Sequence, residues 1–298
     1  MFIKSTSLII PTKDRFNILI RMFISLGKYS GEFDEIIIVD SSSKYISSKI
    51  NDYFKKFKNV KILRSSPSTS LQRNIGIKNA KKDNKFLMFC DDDIIFERNS
   101  LIEMNKCIIK SPNDIGFGFN LKENMNKNFI EKLKKNYLFI RFGIYHNSPG
   151  VVCDNGWHTK NVNIKQNIKS MWLSTQACIF RKKNIENNFF DTSLGSYSYL
   201  EDLFFSYQIY KKGNFIICSN SKYSHPNTID RLDFKFGVQE VINRYKFVKT
   251  FKVNKKKFYI TIFIKSFANF FYILSGRINF IKKFFGNLIG IFLCLVKK

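Results

Sequence analysis

The chain has 298 residues, of which 44% are hydrophobic and 33 are Phe. That is enough for one large α/β domain with an appendage, and it excludes an intrinsically disordered chain. The formal net charge of +27 raises the prospect of a phosphate-rich partner, but no helix-turn-helix pattern, zinc-finger spacing or aromatic RNA-binding motif accompanies it, so no nucleic-acid partner is expected.

SLII at 7–10, ended by Pro11, predicts a strand, and Asn17 through Leu26 carries apolar groups at helical spacing. EIIIVD at 35–40 is β-branched and followed by Ser41, Ser42 and Ser43, which can satisfy turn or helix-start amides. A further strand is predicted at Val60–Leu63, a helix from Ser70 to Ala80, and a strand at Phe86–Cys90. Four apolar strands with helical connections imply an α/β architecture, a Rossmann-like and mostly parallel sheet covered on both faces. Glu97 to Lys110 reads as a helix, and the stretch from Asp114 to Ile168 has less regular periodicity. Strand structure is expected again at Met171–Phe180, a helix at Glu201–Lys211 and a strand at Phe215–Cys218.

The tail differs in character. After Glu240 there is no acidic residue, whereas Lys and Arg recur to the end, which points to an anionic surface on one side of the protein. The longest tail stretches between charges, Ser266–Gly276 and Phe284–Val296, fall short of the roughly 20 residues that cross a bilayer. Helices over Lys255–Lys298 are therefore expected to lie in the interface of an anionic membrane; completion of a core or an oligomer interface is the alternative. The N-terminus shows no long apolar run with a cleavage site, so no signal peptide is expected. Six cysteines at 90, 107, 153, 178, 218 and 294 have neither CxxC spacing nor the density of a disulfide scaffold, which suggests no zinc cluster and a reducing, cytoplasmic setting.

In an open α/β sheet, ligands bind at the carboxyl ends of the strands. Pro11, Thr12 and Arg15 follow the first strand, Asp40 ends the second, and Asp91, Asp92 and Asp93 end the fourth. Asp91 and Asp93 at one-residue spacing can aim two carboxylates at a hard divalent cation; a solvated, charged helix entrance is the plainer alternative. Asp40 can accept from a nucleobase or simply cap its turn, and Arg73 with Asn74 can approach a sugar or diphosphate or be ordinary helix residues.

Taken together, PTKDR at 11–15, IIIVDSSS at 36–43, QRNIGIKNA at 72–80, FCDDDIIF at 89–96, YLEDLFFSYQIYKKG at 199–213 and YSHPNT at 223–228 resemble glycosyltransferase family 2 of the bacterial surface-polysaccharide type. The resemblance implies a GT-A fold over residues 1–230, with a nucleotide-sugar half at 1–110, an acceptor half at 111–230, and a helical, basic, membrane-associating extension at 231–298. It implies an inverting transfer from a nucleotide-diphosphate sugar, commonly UDP-linked, to a glycan or lipid-linked acceptor, with Asp202 as general base and Glu201 beside the acceptor. Thr12, Arg15 and Asp40 would form the nucleotide pocket, Arg73 and Asn74 the diphosphate side, and Asp91 and Asp93 would hold Mn2+ or Mg2+. Asp92 would face the donor, and His225 resembles a late histidine at the metal. Trp172, Ser174, Thr175 and Gln176 would wall the acceptor, although TQACIF departs from the usual glycine-rich approach there and an aromatic such as Trp172 is more often a core residue than a sugar platform. A noncatalytic nucleotide-sugar or glycan-binding protein is the competing class.

Overall fold

The β-branched runs become strands because they can be buried on both faces. In the computed structural model, which describes residues 1–123, 137–141, 143–185, 187–195, 198–226 and 231–296, β1 (Thr6–Thr12), β2 (Glu35–Asp40), β3 (Val60–Arg64) and β4 (Phe86–Cys90) lie in the order β3-β2-β1-β4, all parallel. Every residue of β1, β2 and β4 is buried, as near-continuous apolar strands of a covered parallel sheet require. Crossovers run through α1 (Phe16–Ser25), α2 (Lys44–Phe54) and α3 (Thr69–Asn79).

Beyond β4 the sheet is mixed rather than parallel. The later elements are β5 (Ile95–Phe96), α4 (Ser100–Lys110), β6 (Gly116–Lys122), β7 (Ile168–Ser170), β8 (Ala177–Arg181), α5 (Glu201–Tyr210) and β9 (Phe215–Ser224). β8 runs antiparallel to β4 and β6, while β9 is parallel to β6 and antiparallel to β5 and β7. The helix expected from Glu97 starts only at Ser100, since Asn99 takes a left-handed φ of 70°. The strand expected over Met171–Phe180 is interrupted: Ser170 Oγ donates to the Trp172 carbonyl at 2.6 Å, a local turn that delays the strand to Ala177.

Strand alternation sorts the core into two layers. Leu8, Ile10, Ile36, Ile38 and Met88 pack with Leu19, Met22 and Phe23 of α1, whereas Ile9, Ile37, Leu87 and Phe89 pack with Phe205 and Ile209 of α5. Each such fully buried side chain contributes about 1.5–3 kcal/mol relative to exposure. α3 approaches β1 at Gly76, where any Cβ would collide with the Ile9 side chain. Cys107 on α4 and Cys218 on β9 form a disulfide with 6.2 Å between Cα atoms, a pairing that spacing alone does not specify. Cys90, Cys153, Cys178 and Cys294 are buried free thiols.

Contacts divide the chain into two compact units, residues 1–123 with 161–227, and residues 124–160 with 228–298. The second contains α6 (Phe234–Thr250), α7 (Lys255–Leu274) and α8 (Phe280–Val296). Asp233 caps α6 by accepting from Phe236 N at 2.7 Å, and Asn254 caps α7 by accepting from Lys257 N at 3.0 Å. Val241, Val248, Phe258, Ile262, Ile291 and Cys294 form its core. Gly290 lets α8 lie close on α6, since a Cβ there would stand 2.8 Å from Val241 Cβ. Asn155 joins this unit by donating to the Ile144 carbonyl and to Thr261 Oγ1, both at 2.8 Å. α7 has 20 residues and is, by length and composition alone, long and apolar enough to cross a membrane, although the stretch between its charges is shorter than a span. Residues 227 and 228 of the YSHPNT motif and the terminal Lys297 and Lys298 lie outside the described residues.

Candidate active site

β1 and β4 end side by side, so the residues that follow them meet. Thr12 Oγ1 donates to Asp92 Oδ2 at 2.7 Å. Arg15 Nη1 donates to Asp92 Oδ1 at 3.3 Å and to Asp93 Oδ2 at 2.9 Å. His225, just past β9, places Nε2 3.0 Å from Asp93 Oδ1. Burial pushes the Asp92 carboxyl up to about 7; Thr12 and Arg15 oppose the rise, and Asp93 and Asp91 add to it. Burial acts on Asp93 in the same direction, but the His225 hydrogen bond and charge, with Arg15, hold it below the usual carboxylate range. Arg15 is likewise kept charged by Asp92 and Asp93 against the cost of burial.

A second group of charges is threaded by Arg73 of α3, one of the largest fully buried side chains. Its Nη2 lies 2.5 Å from Asp91 Oδ1, its Nη1 contacts Glu201 Oε1, and Ser70 Oγ donates to Glu201 Oε2 at 2.7 Å. Burial pushes Glu201 up to about 7 despite Arg73 and Ser70, with Asp202 and Asp91 reinforcing the shift. Asp91 is raised too, burial outweighing Arg73. Burial disfavours charge on Arg73, yet Glu201 and Asp91 hold it above its usual value. Glu201 and Asp202 open α5 directly after Leu200, whose φ of 72° is left-handed. Such a backbone costs a non-glycine residue about 1–2 kcal/mol, and strain of this kind concentrates at functional sites. Asp202 is half-buried, accepts from Leu203 N at 2.8 Å, and acts electrostatically on both Arg73 and Asp91.

At the end of β2, Asp40 accepts from Ser42 N at 2.8 Å and from Arg64 Nη1 at 2.5 Å. Burial opposes its charge, but Ser42, Ser47 and Arg64 hold it below the usual range. Gln72 Nε2 fastens the strand ends by donating to the Thr12 carbonyl at 2.9 Å and the Val39 carbonyl at 2.7 Å. Pro11 is buried within β1. Asn74 spends its amide on the Phe190 backbone, at 2.9 Å and 2.7 Å, rather than pointing at a ligand. Trp172 and Thr175 are only 5% and 2% exposed, so the indole is packed as a core ring, while the half-buried Gln176 accepts from Tyr223 OH at 3.1 Å. Arg64, Ser70, Gln72 and Tyr223 were not singled out in the sequence; the polar start of α3, Ser70 with Gln72, was the available signal.

Among the described residues no group of three or more His, Cys, Asp or Glu side chains is placed to hold a metal ion. In kind, however, Asp91, Asp93 and His225 suit Mn2+ or Mg2+, and the Asp93–His225 contact already joins two of the three. Asp91 is turned toward Arg73.

Known proteins share this scaffold. The chain is 16% identical to GalNAc-T7, crystallised with UDP, GalNAc and Mn2+, over 76% of this chain and 44% of that one, with a TM-score of 0.56. It is 16% identical to S. aureus TarS over 90% of this chain and 43% of that one, with a TM-score of 0.55. For TarS residues 1–349 in complex with UDP, the figures are 16%, 85%, 68% and 0.53. The chain thus spans less than half of the first two proteins, and at these identities the likeness concerns the fold, which is GT-A. No curated protein matches it. The Glycosyl transferase family 2 profile matches residues 7–189, more than half of the chain and nearly all of the sheet that carries the acidic site, and the chain belongs to that family.

Proposed function

We propose that this protein is an inverting glycosyltransferase that moves a sugar from a nucleotide-diphosphate donor, UDP-linked, to a hydroxyl of a glycan or lipid-linked surface-polysaccharide acceptor. The observation that carries this reading is the meeting of Asp91, Asp92 and Asp93 with Arg15, Arg73, His225 and the Glu201–Asp202 pair at one sheet edge. Thr12, Arg15 and Asp40 are assigned to the nucleotide, and Asp92 to the donor beside them. Asp91, Asp93 and His225 would hold Mn2+ or Mg2+, which when bound neutralises the donor diphosphate and the charge on the leaving nucleotide.

Asp202 is assigned to the acceptor: its carboxylate takes the hydroxyl proton as that oxygen attacks the anomeric carbon opposite the departing nucleotide. Glu201, anchored by Arg73 and Ser70, fixes the start of α5 and thereby aims Asp202. Gln176 is half-buried, whereas Trp172 and Thr175 are buried. The crystals of GalNAc-T7 with UDP and Mn2+, and of TarS with UDP, support the choice of donor.

Peripheral attachment to an anionic membrane belongs to the same proposal. Phe263, Phe267 and Phe271 on α7 and Phe285 and Phe292 on α8 are exposed, with exposed Lys255, Lys256, Arg277 and Lys282 at the margins. Replacing Phe263, Phe267 and Phe271 by Asp should abolish flotation with anionic liposomes; unchanged flotation would refute the attachment. For the chemistry, full-length protein is screened against nucleotide sugars with and without Mn2+ or Mg2+, and then with membrane glycolipids. Metal-dependent release of nucleotide diphosphate, stimulated by an acceptor, is expected; binding without turnover of any donor under every condition would contradict it.

A further inference from the structure

The helical unit holds a cavity of about 170 Å³ to which the proposed transfer assigns no role. Phe139, Ile144, Tyr145, Ile264 and Ala268 give it an apolar wall, and Glu240, Lys265 and Lys283 give it a charged one. Glu240 is 5% exposed; Lys265 Nζ donates to its Oε1 at 3.2 Å, and Lys283 Nζ stands 3.2 Å from its Oε2. Two ammonium groups thus share one carboxylate on the cavity lining, and Arg244 adds a third positive charge to the field at Glu240. A second anion placed between the lysines would meet net positive potential in surroundings of low dielectric, where charge pairing is strong.

The apolar wall limits what that anion can be. An apolar cavity of about 150 Å³ takes one benzene-sized group, so this one has room for a ring or a few methylene groups beside the charged wall. A sugar is a poorer occupant, because the Trp157 ring already stacks on Phe258 at 5.9 Å and carries Arg244 at 4.4 Å and Lys265 at 4.8 Å. Ile264 and Ala268 also continue the exposed stripe of Ile260, Phe263, Phe267 and Phe271 by steps of three and four residues. An apolar chain lying along that stripe reaches the cavity without leaving an apolar surface.

We propose that this cavity is a binding site for an anionic amphiphile, in which a phosphate-like head sits against Lys265 and Lys283 and the first carbons of its chain lie along Ile264 and Ala268. The site is independent of the acidic edge of the sheet, so its test does not depend on transferase activity. Calorimetry with the full chain compares hexyl phosphate, inorganic phosphate and hexanol. Hexyl phosphate should saturate and bind at least about tenfold more tightly than either half-ligand. Lys283→Met and, separately, Ala268→Phe should each weaken it about tenfold or more, whereas Lys283→Arg should stay within about threefold, all in variants whose circular dichroism matches the parent. Competition by phosphatidylcholine vesicles containing phosphatidic acid, and not by phosphatidylcholine alone, would assign the ligand to a lipid; hexyl phosphate binding without that competition would assign a soluble alkyl phosphate. No saturable binding of hexyl phosphate, or binding that folded Lys283→Met leaves unchanged, would overturn the proposal.

Discussion

At the sheet edge Asp91, Asp92, Asp93 and Glu201 crowd around Arg15, Arg73 and His225, whereas in the helical unit Glu240 stands among Lys265, Lys283 and Arg244. Burial penalises the charged form of all these carboxylates. Yet Asp92 and Glu201 are pushed up to about 7, while Glu240 is pushed down to about 2, because in its case Lys265, Lys283 and Arg244 outweigh the burial. The partners of each carboxylate decide the sign: Asp93, at the same edge but paired with His225 and Arg15, is held down as Glu240 is. An edge with surplus carboxylate is disposed toward cations, and a wall with surplus ammonium toward anions.

The largest effect expected from breaking this contrast is at Arg73. Arg73→Met removes the one guanidinium that bridges Asp91 and Glu201 and should lower stability by about 3–5 kcal/mol in urea unfolding, the range for stranding buried charge. A loss below about 1 kcal/mol would mean that the two carboxylates do not depend on it. Next comes Glu240→Gln. The depressed value gives Glu240 a stabilising contribution that is complete above its ordinary value of 4.5 and lost as pH falls through about 2. The variant should therefore be less stable by about 3 kcal/mol near pH 7, and the gap should close between pH 4.5 and 2. A gap independent of pH would refute the electrostatic account.

Thr12→Val should have the smallest effect, again larger at high pH, although the linkage of Asp92 itself runs opposite to that of Glu240. Asp92 has a raised value, so the stability linked to its protonation is full below about 3.8 and lost as pH rises through about 7. The Thr12 hydrogen bond favours the charged form, so removing it should cost about 1 kcal/mol at pH 8 and less at pH 5, with the Asp92 midpoint moving upward in an NMR titration. An unmoved midpoint would separate Thr12 from the titration of Asp92.

Much of the sheet was legible because local chemistry dictates it. EIIIVD became β2 at its expected bounds and FLMFC became β4, each buried throughout, and the acidic run fell at the strand end where the pattern put it. What depended on chain partners far away was not legible. Arg73 could be placed near a ligand, but its contact with Glu201 reaches across 128 residues of chain. The same holds for Asn74, committed to Phe190 by a contact across 116 residues, and for the Cys107–Cys218 bond across 111. In the tail, Lys265 breaks the apolar run as written, but its ammonium turns to Glu240 and the helix continues past it to Leu274, 20 residues in all.

The assignment of Asp202 as the base is tested most directly by Asp202→Asn, measured for donor affinity by calorimetry and for transfer rate on the same preparation. The amide oxygen of Asn can still accept from the Leu203 amide as Asp202 Oδ1 does, so the start of α5 should survive the change. Donor affinity should stay within about threefold of the parent while transfer falls by about 10²–10⁴-fold, the contribution of a positioned general base. Transfer at the parental rate by a variant that binds donor normally would contradict the account.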